Sequence, residues 1–330
     1  MPDTFRAFVV DEDGGTYNSG FRDLTLADLP DEKVLVDISH SSLNYKDGLA
    51  VSGKAKIVRK FPMVCGIDMV GTVADSADAR FKVGDLVLGT GWGMSETMWG
   101  GYSARMKFSP DILTKVPKGF TAENIMAIGT AGYTAMLSVM ALEHAGVRPE
   151  QGEVLVTGAA GGVGSVATAV LAKLGYTVIA STGRPETHNY LKSLGAKDFI
   201  ARTDLSHPTK PLEKAHWAGA VDSVGGQTLA TILAQTKEEG AVAACGLAGG
   251  TDLPTSVMPF ILRGVKLLGI IYFPADAGLR AKAWNRLATD LEQDKINAIT
   301  TIEPLSNITD LAEKILSGQT QGRVVIDVNR

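Results

Sequence analysis

The chain has 330 residues, 45% hydrophobic and 21% charged, with a formal net charge of −4. That length and composition fit roughly two domains with a substantial core, and the negative charge argues against a nucleic-acid partner. Cys65 and Cys245 are its two cysteines, which excludes a disulfide framework and points to a reducing, cytoplasmic compartment. No basic start followed by an apolar stretch marks a signal peptide, and no apolar run is read as approaching the ~20 residues of a membrane span.

In chain order, residues 1–125 read as short strands between turns: "RAFVV", "KVLVDISHSSL", "MVGTVADS" and "DLVLGT" are β-branched or alternating. At "NIMAIGTAGYTAMLSVMALE" (124–143) the period turns helical. Strands and helices then alternate to about residue 272: "EVLVTGA", "GGVGSVATAVLAKLG", "YTVIAST", "ETHNYLKSLG", "GAVDSVG", "TLATILAQT", "GAVAACG", "SVMPFILRG" and "KLLGIIY". That alternation predicts right-handed βαβ units on a parallel sheet. The stretch 273–330 gives the helices "LRAKAWNRLATDLEQ" and "LAEKILSGQ" and a strand "GRVVIDV", which is expected to return to the first domain.

The run "VLVTGAAGGVGSVATAV" (154–170) has the strand–turn–helix setting of a dinucleotide fingerprint, G-x-G-x-x-G. Its six positions hold Ala159, Ala160, Gly161, Gly162, Val163 and Gly164, so Gly158 is expected to supply the turn. Gly161 admits a pyrophosphate to the backbone, Gly164 lets the helix pack close, and the helix N-terminus favours phosphate. NAD-binding chains place an acid at the tip of the second strand. Here Ser181, Thr182, Gly183 and Arg184 stand there, with no acid before Glu186. Hydroxyls and a guanidinium suit the 2′-phosphate of NADPH.

With these residues in hand, the chain resembles the medium-chain dehydrogenase/reductase superfamily over its whole length. Within it, the chain is most similar to the zinc-free acrylyl-CoA reductase (AcuI/YhdH) family. The shared stretches are "SSLNYKD" (41–47), "FPMVCGID" (61–68), "GTAGYTAM" (129–136), "TGAAGGVGS" (157–165), "VAACGLAGG" (242–250), "PFILRG" (259–264) and "QGR" (321–323). The expected fold is α/β: a GroES-like β domain at 1–125, a doubly wound Rossmann parallel-sheet domain at 126–272, and a return at 273–330. The resemblance also implies a homodimer. The superfamily's zinc enzymes would place ligands near Asn44 and Ile67, and neither residue can replace a thiolate or an imidazole. No metal is expected.

Hydride attack on a conjugated C=C bond leaves an enolate that hydrogen bonds can stabilise without a Lewis acid. The resemblance implies that NADPH reduces acryloyl-CoA to propionyl-CoA, at a site between the β domain and the carboxyl ends of the Rossmann strands. Asn44, Tyr45 and Asp47 are the catalytic candidates, with Tyr45 also at the cofactor and Lys46 and Asp47 expected to pair. Thr130 and Leu247 are candidate nicotinamide neighbours, and Arg202 and Arg323 join the cofactor set. Cys245 reads as a small core residue rather than a nucleophile. Lys54, Lys56, Arg59 and Lys60 form a basic loop that suits the phosphates of a CoA tail. One departure touches the acyl pocket: Ile271, Tyr272, Phe273 and Pro274 stand where the family carries small polar residues. A quinone or free-enone reductase, and a non-enzymatic NADPH-binding protein, remain the alternatives.

Overall fold

A computed structural model describes residues 4–272 and 277–330, and Phe273 and Pro274 lie outside the described residues. The chain forms two compact units, Met1–Thr130 with Ile299–Arg330, and Ala131–Ala298. The return to the first unit therefore begins at Ile299 rather than at 273. The intervening helices belong to the second unit, where Lys173 pairs with Glu292 and Arg286 with Glu143.

The first unit opens with β1 (Thr4–Asp13), β2 (Thr16–Thr25) and β3 (Val34–Leu43), followed by α1 (Tyr45–Ser52). Strands β4 (Met63–Val64), β5 (Asp68–Ser76), β6 (Leu86–Thr90), β7 (Arg105–Phe108) and β8 (Thr114–Lys115) follow. Ala7 to Val10 of β1 are buried on both faces, in a core that also takes Val36, Met69 and Met106. Helix α2 (Ala122–His144) carries the chain into the second unit. It breaks at Gly129, whose φ of 50° and ψ of −157° suit glycine. By length and composition α2 could span a membrane, contrary to the sequence reading, but 89% of its apolar window is buried. Burial makes it a core helix.

The second unit runs β9 (Val154–Val156), α3 (Gly162–Lys173), β10 (Val178–Thr182), α4 (His188–Ser193), β11 (Asp198–Ala201), β12 (Trp217–Asp222), α5 (Gly226–Gln235) and β13 (Thr236–Ala244). It closes with α6 (Met258–Arg263), β14 (Lys266–Gly269), α7 (Ala277–Asp290) and α8 (Gln293–Ile299). Six strands lie in the order β11-β10-β9-β12-β13-β14, all parallel. The order reverses direction at β9, so β9 and β12 flank the switch point where α/β sheets hold ligands. Continuous apolar runs such as Val154, Leu155 and Val156 are fully buried, as strands covered on both faces require.

The chain ends in β15 (Thr300–Pro304), α9 (Ile308–Leu316) and β16 (Arg323–Asp327). Strand β16 pairs antiparallel with β3, setting Val324 opposite Leu43 and Val325 opposite Ser42. The expected return strand thus joins the first unit's sheet, and its register carries Arg323 to the start of α1.

Candidate active site

In the first unit, Asn44 caps α1 and is almost wholly buried. Its backbone N–H donates to Asp47 Oδ2 at 2.9 Å, and its Nδ2 lies 3.0 Å from the same oxygen, 3.1 Å from Ser42 Oγ and 2.9 Å from Asp68 Oδ2. Arg323 Nη1 donates to its Oδ1 at 3.2 Å. Both ends of the Asn44 amide are spent inside the protein. Asp47 turns inward too, accepting from Ile67 N at 2.9 Å, while Lys46 reaches Glu96. Lys46 thus has Glu96 as an ion-pair partner, while the charge of Asp47, the expected partner, also acts on it. Burial first, and then the charge of Asp68, push the Asp47 carboxyl up to about 7. Burial likewise lowers Lys46, to about 8.

Asp68 gathers the network: Ser42 Oγ donates to Oδ2 at 2.6 Å and Thr130 Oγ1 to Oδ1 at 2.5 Å. The hydroxyl hydrogen of Thr130 is committed there, so toward a ligand its oxygen acts as an acceptor. Arg323, expected at the cofactor, is buried in this network instead. It donates to the carbonyls of Ala127 (2.8 Å) and Leu43 (3.0 Å) and to Ser42 Oγ (2.9 Å). Arg323 Nη2 and Asp68 Oδ2 lie 4.0 Å apart, and a Cβ at Gly129 would meet them at 2.9 and 2.7 Å, so this pair leaves no room for a side chain at the helix break. Of the three catalytic candidates, Tyr45 alone meets solvent substantially, at 39% exposure. Lys54, Lys56, Arg59 and Lys60 are all exposed, and Arg59 lies 3.8 Å from Glu96.

In the second unit the glycine turn follows β9 as expected. Gly158 has φ +56°, and a Cβ there would meet Ser223 Oγ at 2.5 Å. Gly161 N donates to Gly158 O at 2.9 Å, and a Cβ on Gly164 would strike that same carbonyl. Ala159 and Ala160 are buried, while Gly161, Gly162 and Val163 present partly exposed backbone at the N-terminus of α3. First-turn N–H groups have no helical acceptor, so this end fits a pyrophosphate.

At the tip of β10, Ser181 and Thr182 are buried. Thr182 Oγ1 accepts from Arg184 N at 3.1 Å and lies 3.2 Å from Thr187 Oγ1, so this hydroxyl shapes the loop. Arg202 lies against Gly183, where a Cβ would meet its Nε at 3.2 Å. Two arginines therefore frame the β10 tip. Sequence reasoning missed Tyr190, whose hydroxyl donates to Ser165 Oγ at 2.8 Å and which burial raises to about 12. One tyrosine in a helical pattern carries no signal that would have found it. Leu247 is 59% exposed, and Cys245 Sγ sits 3.2 Å from Asp222 O, with burial pushing the thiol up to about 12. That is an inert thiol.

Of the two residues that the resemblance sets at zinc-ligand positions, Asn44 is engaged as described and Ile67 is a buried apolar side chain. Among the described residues no three His, Cys, Asp or Glu side chains are grouped to hold a metal.

Residues 30–118 match the alcohol dehydrogenase GroES-like domain, and residues 162–289 match the zinc-binding dehydrogenase family. The chain is 52% identical over 328 residues to acrylyl-CoA reductase AcuI of Ruegeria pomeroyi, covering 98% of this chain and 99% of that protein. The crystal structure of Escherichia coli K-12 YhdH with bound NADPH superposes with a TM-score of 0.95 at 50% identity, covering 98% and 100% of the two chains. Bacillus subtilis YhfP with NAD bound gives a TM-score of 0.93 at 41% identity, covering 99% and 100%. Fold and matches together define a medium-chain dehydrogenase/reductase. Within that superfamily the chain belongs to the acrylyl-CoA reductase (AcuI/YhdH) family.

Proposed function

We propose that the chain is an NADPH-dependent acrylyl-CoA reductase that converts acryloyl-CoA to propionyl-CoA. The observation that carries this reading is a dinucleotide turn with Arg184 and Arg202 at the neighbouring strand tip, in a chain 52% identical to an acrylyl-CoA reductase. When bound, NADPH supplies a hydride for the β-carbon of the thioester.

Gly162, Val163 and Gly164 hold the pyrophosphate through backbone N–H groups at the start of α3, and Gly161, with no side chain, lets it approach the backbone. Arg184 and Arg202 hold the 2′-phosphate, since guanidinium presents paired donors to phosphate oxygens. The Tyr190–Ser165 hydrogen bond ties α4, which follows Arg184, to α3. Arg184 also sets the preference against NADH, which has no 2′-phosphate for its guanidinium to hold.

Tyr45 is the group offered to the nicotinamide and the enolate, because it alone of the three candidates combines a donor with exposure. Asn44 and Asp47 act as positioning residues that fix the first turn of α1 beneath it. Thr130 of the first unit and Leu247 of the second are further residues offered to the nicotinamide, and the basic residues from Lys54 to Lys60 draw in the CoA phosphates. Cytoplasmic residence agrees with two free cysteines. Among the described residues β14 ends the sheet, and this edge together with the exposed Val257, Ile261 and Leu262 supports a homodimer, which light scattering reads directly.

A substrate panel tests the assignment. NADPH oxidation faster with acryloyl-CoA than with free enones or quinones supports it. Faster turnover of quinones, or tight NADPH binding with no turnover on any of them, overturns it.

A further inference from the structure

Asp222 ends β12 with its side chain fully buried, and nothing in the chemistry proposed above uses it. Strands β12 and β9 pair in parallel with Val221 beside Val156, so the next residues, Asp222 and Thr157, fall side by side. Thr157 is the last residue before the Gly158 turn. Its hydroxyl donates to Asp222 Oδ1 at 2.6 Å and accepts from Ser223 N at 3.1 Å. The other carboxylate oxygen accepts from Gly225 N at 2.8 Å, and Val224 N lies 3.3 Å from Oδ1. The amides of the turn after β12 thus converge on the chain's own carboxylate.

The link continues in both directions. Ser223 Oγ donates to Thr157 O at 3.1 Å and sits where a Cβ on Gly158 would be. Gly158 O in turn accepts from Gly161 N. On the other side, Cys245 N donates to Asp222 O at 2.8 Å and Gly249 N to Val224 O at 2.7 Å, bracketing Leu247. The loops after β9 and β12 therefore meet at one buried carboxylate, and the loop after β13 is tied to the backbone carbonyls of Asp222 and Val224 beside it.

We propose that Asp222 is a positioning residue for the cofactor: through Thr157 it sets the shape in which the Gly158–Gly164 turn meets a pyrophosphate. This rests on the reading of that turn as a dinucleotide site. Burial raises the Asp222 carboxyl, while its bond from Thr157 and those from Gly225 and Val224 pull it back toward the ionised form. An acceptor-only group is what the site requires, because every neighbour is a donor. Asparagine would turn its NH2 against either Gly225 N–H or the Thr157 hydroxyl.

Binding decides the matter, with turnover set aside. Dissociation constants for NADPH and for adenosine 2′-monophosphate, which has the 2′-phosphate and no pyrophosphate, are measured for the wild type, Asp222→Asn, Thr157→Val and Thr157→Ser. Losing a hydrogen bond to the carboxylate should weaken NADPH about tenfold in Asp222→Asn and Thr157→Val. Thr157→Ser, which restores the hydroxyl, should stay near wild type, and adenosine 2′-monophosphate should bind all four alike. If Asp222→Asn does not fold, Thr157→Val carries the test. Wild-type NADPH affinity in folded Thr157→Val, or equal weakening of both ligands, overturns the proposal. A wild type that fails to bind NADPH overturns the cofactor reading itself, and this inference with it.

Discussion

Asp47 holds Asn44 twice, accepting the backbone N–H at 2.9 Å and lying 3.0 Å from Nδ2, with both residues withdrawn from solvent. The N3 acid of α1 therefore fixes the helix entry and the residue that immediately precedes Tyr45.

That arrangement makes stability depend on pH in a defined direction. Unfolded, the Asp47 carboxyl ionises near 3.8; folded, it ionises near 7. Below the lower value both states are protonated and the contribution of Asp47 is fully present. As pH rises toward 7 the unfolded state ionises first, so that contribution is lost. Urea unfolding of wild type and Asp47→Asn at pH 4 and pH 7.5 should show wild type losing stability relative to the variant. A stability difference that is the same at both pH values would contradict the buried, protonatable Asp47.

Tyr45→Phe should lower kcat/KM by at least about tenfold, the low end of what a positioned proton donor or oxyanion partner supplies. The ring keeps its packing and the hydroxyl belongs to a partly exposed side chain, so unfolding free energy should stay within about 0.5 kcal/mol of wild type. Unchanged kinetics and unchanged NADPH affinity would leave Tyr45 with packing alone.

The glycine turn and the β10 tip were legible because each is local: a buried strand, a glycine run and a small-residue helix are consecutive in sequence. The Asp68–Arg323 pair was not. It arises from the antiparallel register of β16 on β3, and nothing near either residue announces that pairing. Strand β2 was missed because TYNSGFRDLT has one fully buried residue, Leu24, and lacks the alternation that marks a half-buried strand. Strands β11 and β15 are short and have no fully buried residue, so they too carried little pattern. Asn44 and Asp47 were identified as important residues, but their inward-facing bonds could be read only from the fold.

Arg184→Ala should discriminate between the cofactors. A hydrogen bond to a charged group contributes roughly 1.5–3 kcal/mol, so NADPH binding should weaken by about 10- to 150-fold. NADH, without a 2′-phosphate, should bind nearly as before. Equal losses for both cofactors, or a wild type that prefers NADH, would remove Arg184 from the 2′-phosphate.

The purified enzyme should contain no stoichiometric zinc and should keep its activity in strong chelator, since Asn44 and Ile67 occupy ligand positions with groups that zinc does not take. Elemental analysis and an assay after dialysis against chelator check both halves. One zinc per chain, with activity lost on its removal, would be incompatible with this site.

The central claim is the direction of addition: hydride to the β-carbon of an acryloyl thioester and a proton to the α-carbon. The most direct measurement is mass spectrometry and NMR of propionyl-CoA made from acryloyl-CoA with NADPH deuterated at the transferring C4 position. The label should appear at the methyl carbon, and a run in deuterated water should place solvent deuterium at the carbon next to the thioester. Cofactor deuterium at the α-carbon, or no labelled propionyl-CoA under conditions where NADPH binds, would contradict it.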